Sequence, residues 1–186
     1  WCKRGDMEMA TKVFDLASKM NVVPDVVSYT TVIRGWCERG CEDRAIKVMK
    51  QMKEAGVRPD VVTFTTLIRS YCKNKNMSAA MSVLGVMRES GLRSDDRTYN
   101  TLIQGWIELK KMDRAMDLFK KMKRNKRVRP NIVTYTLLIN GWARSMRRMD
   151  MAEKVMQDLM NDRDVSPDHR TFSALIKGYN FLFHED

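Results

Sequence analysis

The sequence predicts an all-α chain of stacked helix-turn-helix repeats, and three observations carry that prediction. "VVPDVVSYTTVIRGWC" at residues 22–37 returns almost unchanged 35 residues later as "VRPDVVTFTTLIRSYC" at 57–72. Ala10, Ala45, Ala80 and Ala115 keep the interval of 35, as do Trp1, Trp36, Tyr71 and Trp106, with Trp142 following after 36. Apolar residues recur every three or four positions instead of alternating, which is the helical period and not that of a strand. Self-similarity on this scale marks repeat architectures, in which one hairpin cannot bury both its faces and neighbours stack into a continuous core.

Cutting just after each Pro-Asp or its substitute divides the chain, as a single solenoid over 1–186, into a partial repeat at 1–25, complete repeats at 26–60, 61–95, 96–131 and 132–168, and a partial repeat at 169–186. In the repeat at 26–60, Val32, Ile33, Trp36 and Cys37 form the stripe of a first helix. Gly40 in "ERGC" stands where that helix must end. Ala45, Val48, Met49 and Met52 give the second helix its buried face, Gly56 ends it, and Pro59 keeps the chain extended before the next repeat. The repeat at 61–95 follows the same plan with Ser94 in place of proline. The last two complete repeats have 36 and 37 residues, and their surplus is expected in loops at the basic or polar tracts "KRNKRV", "RSMRR" and "NDRD". Trp36, Trp106 and Trp142 are expected inside, and the sixteen methionines are expected to fill the core along the second helices.

With 34 Lys and Arg against 23 Asp and Glu, the formal charge of +11 favours a polyanionic partner. No apolar run is long enough to span a membrane, and none is expected to be engaged. "WCKRGDMEMA" opens in mid-repeat, so any targeting segment is expected upstream. Cys2, Cys37 and Cys72 stand 35 apart after aromatic residues and read as buried reduced thiols. No C-x-x-C pair exists, and the two histidines, His169 and His184, lie far from the cysteines, so no metal site is expected. There is no nucleophile-base set, Walker loop or G-x-G-x-x-G, so neither catalytic residues nor cofactors are expected.

"VVSYTTVIRGWCERGCEDRAIKVMKQMKEAGVRPD" strongly resembles the pentatricopeptide repeat of plant organellar RNA-binding proteins, in the plain form built from uniform 35-residue units. "VVTFTTLIRSYCKNKNMSAAMSVLGVMRESGLRSD", "DRTYNTLIQGWIELKKMDRAMDLFKKMKRNKRVRPN" and the stretch from Ile132 to Asp168 repeat it, so the resemblance covers the whole chain. It implies a nuclear-encoded protein of the mitochondrion, slightly favoured, or the chloroplast. It also implies binding of single-stranded RNA, one base per repeat, through the fifth and last residues of each unit. The fifth residues are Thr30, Thr65, Asn100 and Thr136, with Ser173 in the last partial repeat, and the last residues are Asp60, Asp95, Asn131 and Asp168. The second residues, which flank the base in the family, are Val27, Val62 and Val133, with Arg97 and Arg170 as departures.

The residues make chemical sense of that implication. Thr and Asn carry short donors and acceptors, Asp only accepts, and such pairs can tell bases apart by hydrogen-bond pattern. Taken singly, the threonines could instead cap first helices and the aspartates end turns. One turn after each fifth residue stand Arg34, Arg69, Gln104, Asn140 and Lys177, and two turns after stand Glu38, Lys73, Glu108, Arg144 and Phe181, a largely polar face with cations suited to phosphates. The expected form is a right-handed superhelix whose first helices line the concave side, because they present the polar pairs once per repeat while the second helices carry the longer Ala, Val and Met stripe. By the family pattern the RNA core is 5′-G-G-Y-G-3′. The expected function is selective RNA binding in organellar processing, stabilisation, splicing or translation. The alternative is a structural solenoid of a large assembly such as a mitochondrial ribosome, holding proteins or ribosomal RNA without reading bases.

Overall fold

The computed structural model describes residues 7–183 apart from 21, 23, 126 and 146, so Trp1, Cys2 and His184 lie outside the described residues. Among the described residues the chain is helical, with no strand. Its contacts divide it into two compact units, Trp1–Ser94 and Asp95–Asp186, a division that falls one residue before the boundary between the repeats at 61–95 and 96–131.

The first unit holds α1 (Met7–Lys19), a hairpin of α2 (Val26–Glu38) and α3 (Glu42–Glu54), and a hairpin of α4 (Val61–Lys73) and α5 (Met77–Glu89). The second holds the hairpin of α6 (Asp96–Glu108) and α7 (Met112–Arg124), then α8 (Ile132–Asn140) continued by a π-turn (Gly141–Ser145), α9 (Met149–Met160) and α10 (His169–Phe183). Within each unit a first helix packs on its own second helix and on the next first helix: α2 on α3 and α4, and α8 on α6, α9 and α10.

Each first helix starts where the sequence places a repeat boundary, and the boundary residue is the reason. The side chains of Asp25, Asp60, Asp95, Asn131 and Asp168 accept from the backbone N–H three residues on, at 2.8, 2.8, 2.8, 3.1 and 2.9 Å, satisfying a donor that the helix leaves unpaired. Capping thus falls to the acidic and amide residues and not to Thr30 or its counterparts. The turn between helices requires a left-handed residue, with Gly40 at φ +70° in the first hairpin. Lys75, Lys110 and Arg147 take the equivalent place at φ 60°, 58° and 52°, a conformation that costs a side-chain-bearing residue about 1 kcal/mol.

The core follows the repeat period. Ile33, Ile68, Ile103 and Ile139 on first helices, and Ala45, Ala80, Ala115 and Ala152 on second helices, are all completely buried. Met52, Met87 and Met122 fill the same level one repeat apart. Trp36 and Trp142 are buried, whereas Trp106 is half-buried. Cys37 and Cys72 are buried and not in disulfides, and burial pushes the Cys37 thiol up to about 11.

One expectation about the surplus residues is corrected. The tract "RSMRR" does not hold its extra residue as a loop. The first helix of 132–168 comprises nine α-helical and five π-helical residues, against thirteen in α2, α4 and α6, so the surplus is absorbed inside the helix. Trp142 and Ala143, within the π-helical turn, are buried. Glycine then allows close approach. A Cβ on Gly178 of α10 would lie 2.6 Å from the Ala143 Cβ and 2.7 Å from the Met149 sulfur.

Candidate nucleic-acid interface

Three of the four expected pairs are joined through a side chain that the sequence reading passed over. In the first unit the Thr30 and Thr63 hydroxyls lie 2.7 Å apart, and the Thr63 hydroxyl donates to Asp60 Oδ1 at 2.8 Å. The fifth residue of 26–60 therefore reaches the last residue of that repeat through the third residue of the next. In the second unit Thr134 donates to Asn100 Oδ1 at 2.7 Å, Asn100 Nδ2 donates to Asn131 Oδ1 at 3.4 Å, and Asn131 Nδ2 donates to Asp96 Oδ2 at 2.6 Å. In the repeat at 132–168, Thr171 donates to Asp168 Oδ1 at 2.8 Å and its oxygen lies 3.3 Å from that of Thr136. There the Thr136 hydroxyl also donates to the Ile132 carbonyl at 2.8 Å.

Thr65 and Asp95 fall in different units. Asp95 takes both the backbone N–H and the hydroxyl of Thr98, at 2.8 and 2.6 Å. Ser173 stands half-buried in α10. The bridging residues Thr63, Thr134 and Thr171, and Thr98 at the same position, are all fully buried. Their signal in the sequence is the period itself, since with Ser28 they form a hydroxyl series at the third position of every repeat.

The fifth residues sit deeper than freely exposed base-reading groups would. Thr30 and Thr65 retain 5% and 6% of their surface, while Asn100 and Thr136 are half-buried, as are Asp60, Asp95, Asn131 and Asp168. The half-buried carboxylates and amides are thus the more open members of the pairs. Amide and hydroxyl donors hold Asp168 below the usual carboxylate range, the Thr171 backbone N–H most of all and its hydroxyl next.

Beside the pairs stand side chains that a folded chain ordinarily hides. Val27, Val62 and Val133 are 70%, 51% and 49% exposed, each at the second position of its repeat, and Arg97 and Arg170 hold that place exposed in the other repeats. Further along the first helices, Arg34, Arg69, Lys73, Arg144 and Lys177 are exposed, as are Glu38 and Glu108. Between α6 and α8 a groove of about 450 Å³ is lined by Gln104, Glu108, Asn140 and Arg144 over a floor that includes Ile107 and Gly141. Gln104 donates to Glu108 there at 3.0 Å, so one acid of this face is engaged by a neighbour.

Among the described residues, no group of three or more His, Cys, Asp or Glu side chains could hold a metal ion, and no helix is long and apolar enough to cross a membrane.

The profile of the PPR repeat family matches residues 1–38, 24–73, 59–106, 95–144 and 130–180, in step with the helical hairpins. The chain belongs to the PPR repeat family. Solved PPR proteins share its fold. PPR10 from maize superposes with a TM-score of 0.79 at 21% identity, over 92% of this chain and 24% of that one. PPR10 in complex with an 18-nt psaJ RNA element gives 0.66 at 21% identity, over 98% of this chain and 31% of that one. The PPR domain of Arabidopsis thaliana protein-only RNase P 1, in complex with tRNA, gives 0.67 at 20% identity, over 96% and 93%. The chain therefore spans about a quarter of the PPR10 chain. No curated protein matches it.

Proposed function

We propose that this PPR chain binds single-stranded RNA and takes one base per repeat at the fifth and last residues. The observation that carries this is a recurrent arrangement: a polar pair joined through a buried threonine stands in a repeat whose second residue is an exposed valine or arginine. Bridged side chains have lost much of their rotational freedom, so a base would meet them in one orientation. An exposed valine offers an apolar surface for a base plane, and an arginine can stack on the plane or hold a phosphate. Arg34, Arg69, Lys73, Arg144 and Lys177 supply cations along the same helices, and the net charge of +11 supplies attraction at longer range.

By the family pattern, Thr30 with Asp60 and Thr65 with Asp95 take G, Asn100 with Asn131 takes a pyrimidine, and Thr136 with Asp168 takes G. The core is 5′-G-G-Y-G-3′. Four bases at about 1–3 kcal/mol of discrimination each, a scale set by good bidentate contacts to DNA bases, make a modest site. We place its action in RNA processing, stabilisation, splicing or translation in a plant mitochondrion or chloroplast, as a binder without catalysis of its own, alone or with other proteins of an organellar ribonucleoprotein.

The test is binding at fixed salt to short RNAs carrying 5′-G-G-Y-G-3′ and to shuffled versions. Preference for the ordered core supports base reading. Equal binding to all of them, falling steeply with salt, would leave only phosphate attraction and favour a structural solenoid.

A further inference from the structure

A hydroxyl has one hydrogen, and that restriction decides what the Thr30–Asp60 pair can show a ligand. A carboxylate oxygen accepts only. The short contact from Thr63 to Asp60 Oδ1 therefore uses the single hydrogen of Thr63. The 2.7 Å contact between Thr63 and Thr30 must then be made by the hydrogen of Thr30, donated inward. Nothing is left on Thr30 to donate outward. What the pair keeps for a ligand is lone pairs, on the Thr30 oxygen and on the second oxygen of Asp60.

We propose that Thr63 is a specificity-determining residue, which makes the Thr30–Asp60 pair an acceptor-only reader by fixing the direction of its hydrogens. The proposal rests on the base-reading function above. Two adjacent acceptors suit guanine, whose Watson–Crick edge offers N1–H and N2–H side by side. They oppose adenine, which offers N6–H but sets the N1 lone pair against the second acceptor. Thr63 touches no base in this account and acts as a positioning residue. Freed from it, the Thr30 hydroxyl can turn and donate to adenine N1 while Asp60 accepts from N6–H.

The repeat at 132–168 supplies an internal control. Thr136 already gives its hydrogen to the Ile132 carbonyl at 2.8 Å, so its outward face is acceptor-only without help from Thr171. Losing the Thr171 hydroxyl should leave that base's preference in place.

The experiment measures the ratio of affinities for G- and A-bearing RNAs, varied at the first or at the fourth core base, by fluorescence anisotropy at fixed salt. Thr63→Val keeps the shape and removes the hydroxyl, and it is expected to lower the G:A ratio at the first base about tenfold, within the range of one good base contact. Thr63→Ser restores the hydroxyl and the ratio. Thr171→Val leaves the ratio at the fourth base unchanged, and helical circular dichroism confirms folding. Should Thr63→Val fold poorly, Thr63→Ala must give the same loss. A Thr63→Val chain that keeps the wild-type ratio, or loses affinity equally for both RNAs, overturns the proposal and leaves base reading intact. A fall at the fourth base in Thr171→Val also overturns it. A wild-type chain with no G:A preference at the first base overturns both.

Discussion

Thr30–Thr63–Asp60 in the first unit and Asn100–Thr134–Asn131 in the second use the same scaffold with opposite polarity. Each has a fifth residue, a last residue and a fully buried threonine between them. In the first, every hydrogen runs inward toward the carboxylate, leaving acceptors. In the second, Thr134 donates to the Asn100 oxygen, and each asparagine spends one amide hydrogen, on Asn131 or on Asp96. Each amide keeps a second N–H, so this pair can donate. Two regions with one backbone thus differ in what they offer a ligand. The middle threonine serves both because a hydroxyl can adjust its hydrogen to either neighbour.

The largest expected effect separates the two by stability. Asp60→Ala removes the cap of α4 and the acceptor of a buried hydroxyl at once, and it should cost about 2–3 kcal/mol in urea unfolding. Asn131→Ala should cost only about 1 kcal/mol, because Thr134 keeps Asn100 as its acceptor. Equal costs would break the distinction between the regions.

Converting one region into the other comes next. Asn100→Thr with Asn131→Asp should move the third base from pyrimidine toward G by about tenfold in relative affinity, with the other positions unchanged. A uniform loss on every RNA would show that the pair supports the fold and reads nothing. Lys110→Gly, at the left-handed position φ 58°, should raise stability by about 1 kcal/mol and leave every base preference alone. A changed preference there would mean that stability and reading cannot be separated.

How much of this was legible in the sequence depended on whether a feature is local. Repeat boundaries were legible because Asp60 or Asn131 acts within three residues of itself, and the Ala and Ile positions were legible because their burial repeats with the period. The bridging threonines were visible as a series, but their use depends on which hydroxyl meets which oxygen across two helices. The surplus of 132–168 could be counted from its length, while its place could not, because a π-turn and a loop differ in packing around Trp142 and not in composition.

The smallest effect contrasts a carboxylate boundary with an amide one. Asp168 lies below the usual carboxylate range in the folded chain, held by the N–H and hydroxyl of Thr171. Its unfolded value is the higher of the two, so its contribution is present above the ordinary range of about 4 and is lost as pH falls through the folded value. Asn131 has no proton to gain. The Tm advantage of wild type over Asp168→Asn should therefore shrink as pH falls below the ordinary carboxylate range of about 4. A constant difference through that fall would show that charge contributes nothing at this boundary.

Because Asp60 is joined backward to Thr30 through Thr63 and caps the first turn of α4, the length that folds and the length proposed to read a base are out of phase. Exchanging modules by cutting at the boundary between 60 and 61 would split the hydrogen-bonded set of Thr30, Thr63 and Asp60. Thr63 would then come from the incoming piece and Thr30 with Asp60 from the resident one. A cassette that begins after Gly40 and ends after Lys75 carries Asp60, Thr63 and Thr65 together and leaves both splice points in left-handed turns between helices. Its partner Thr30 remains in the recipient, so such a cassette transplants the second half of one word and the first half of the next.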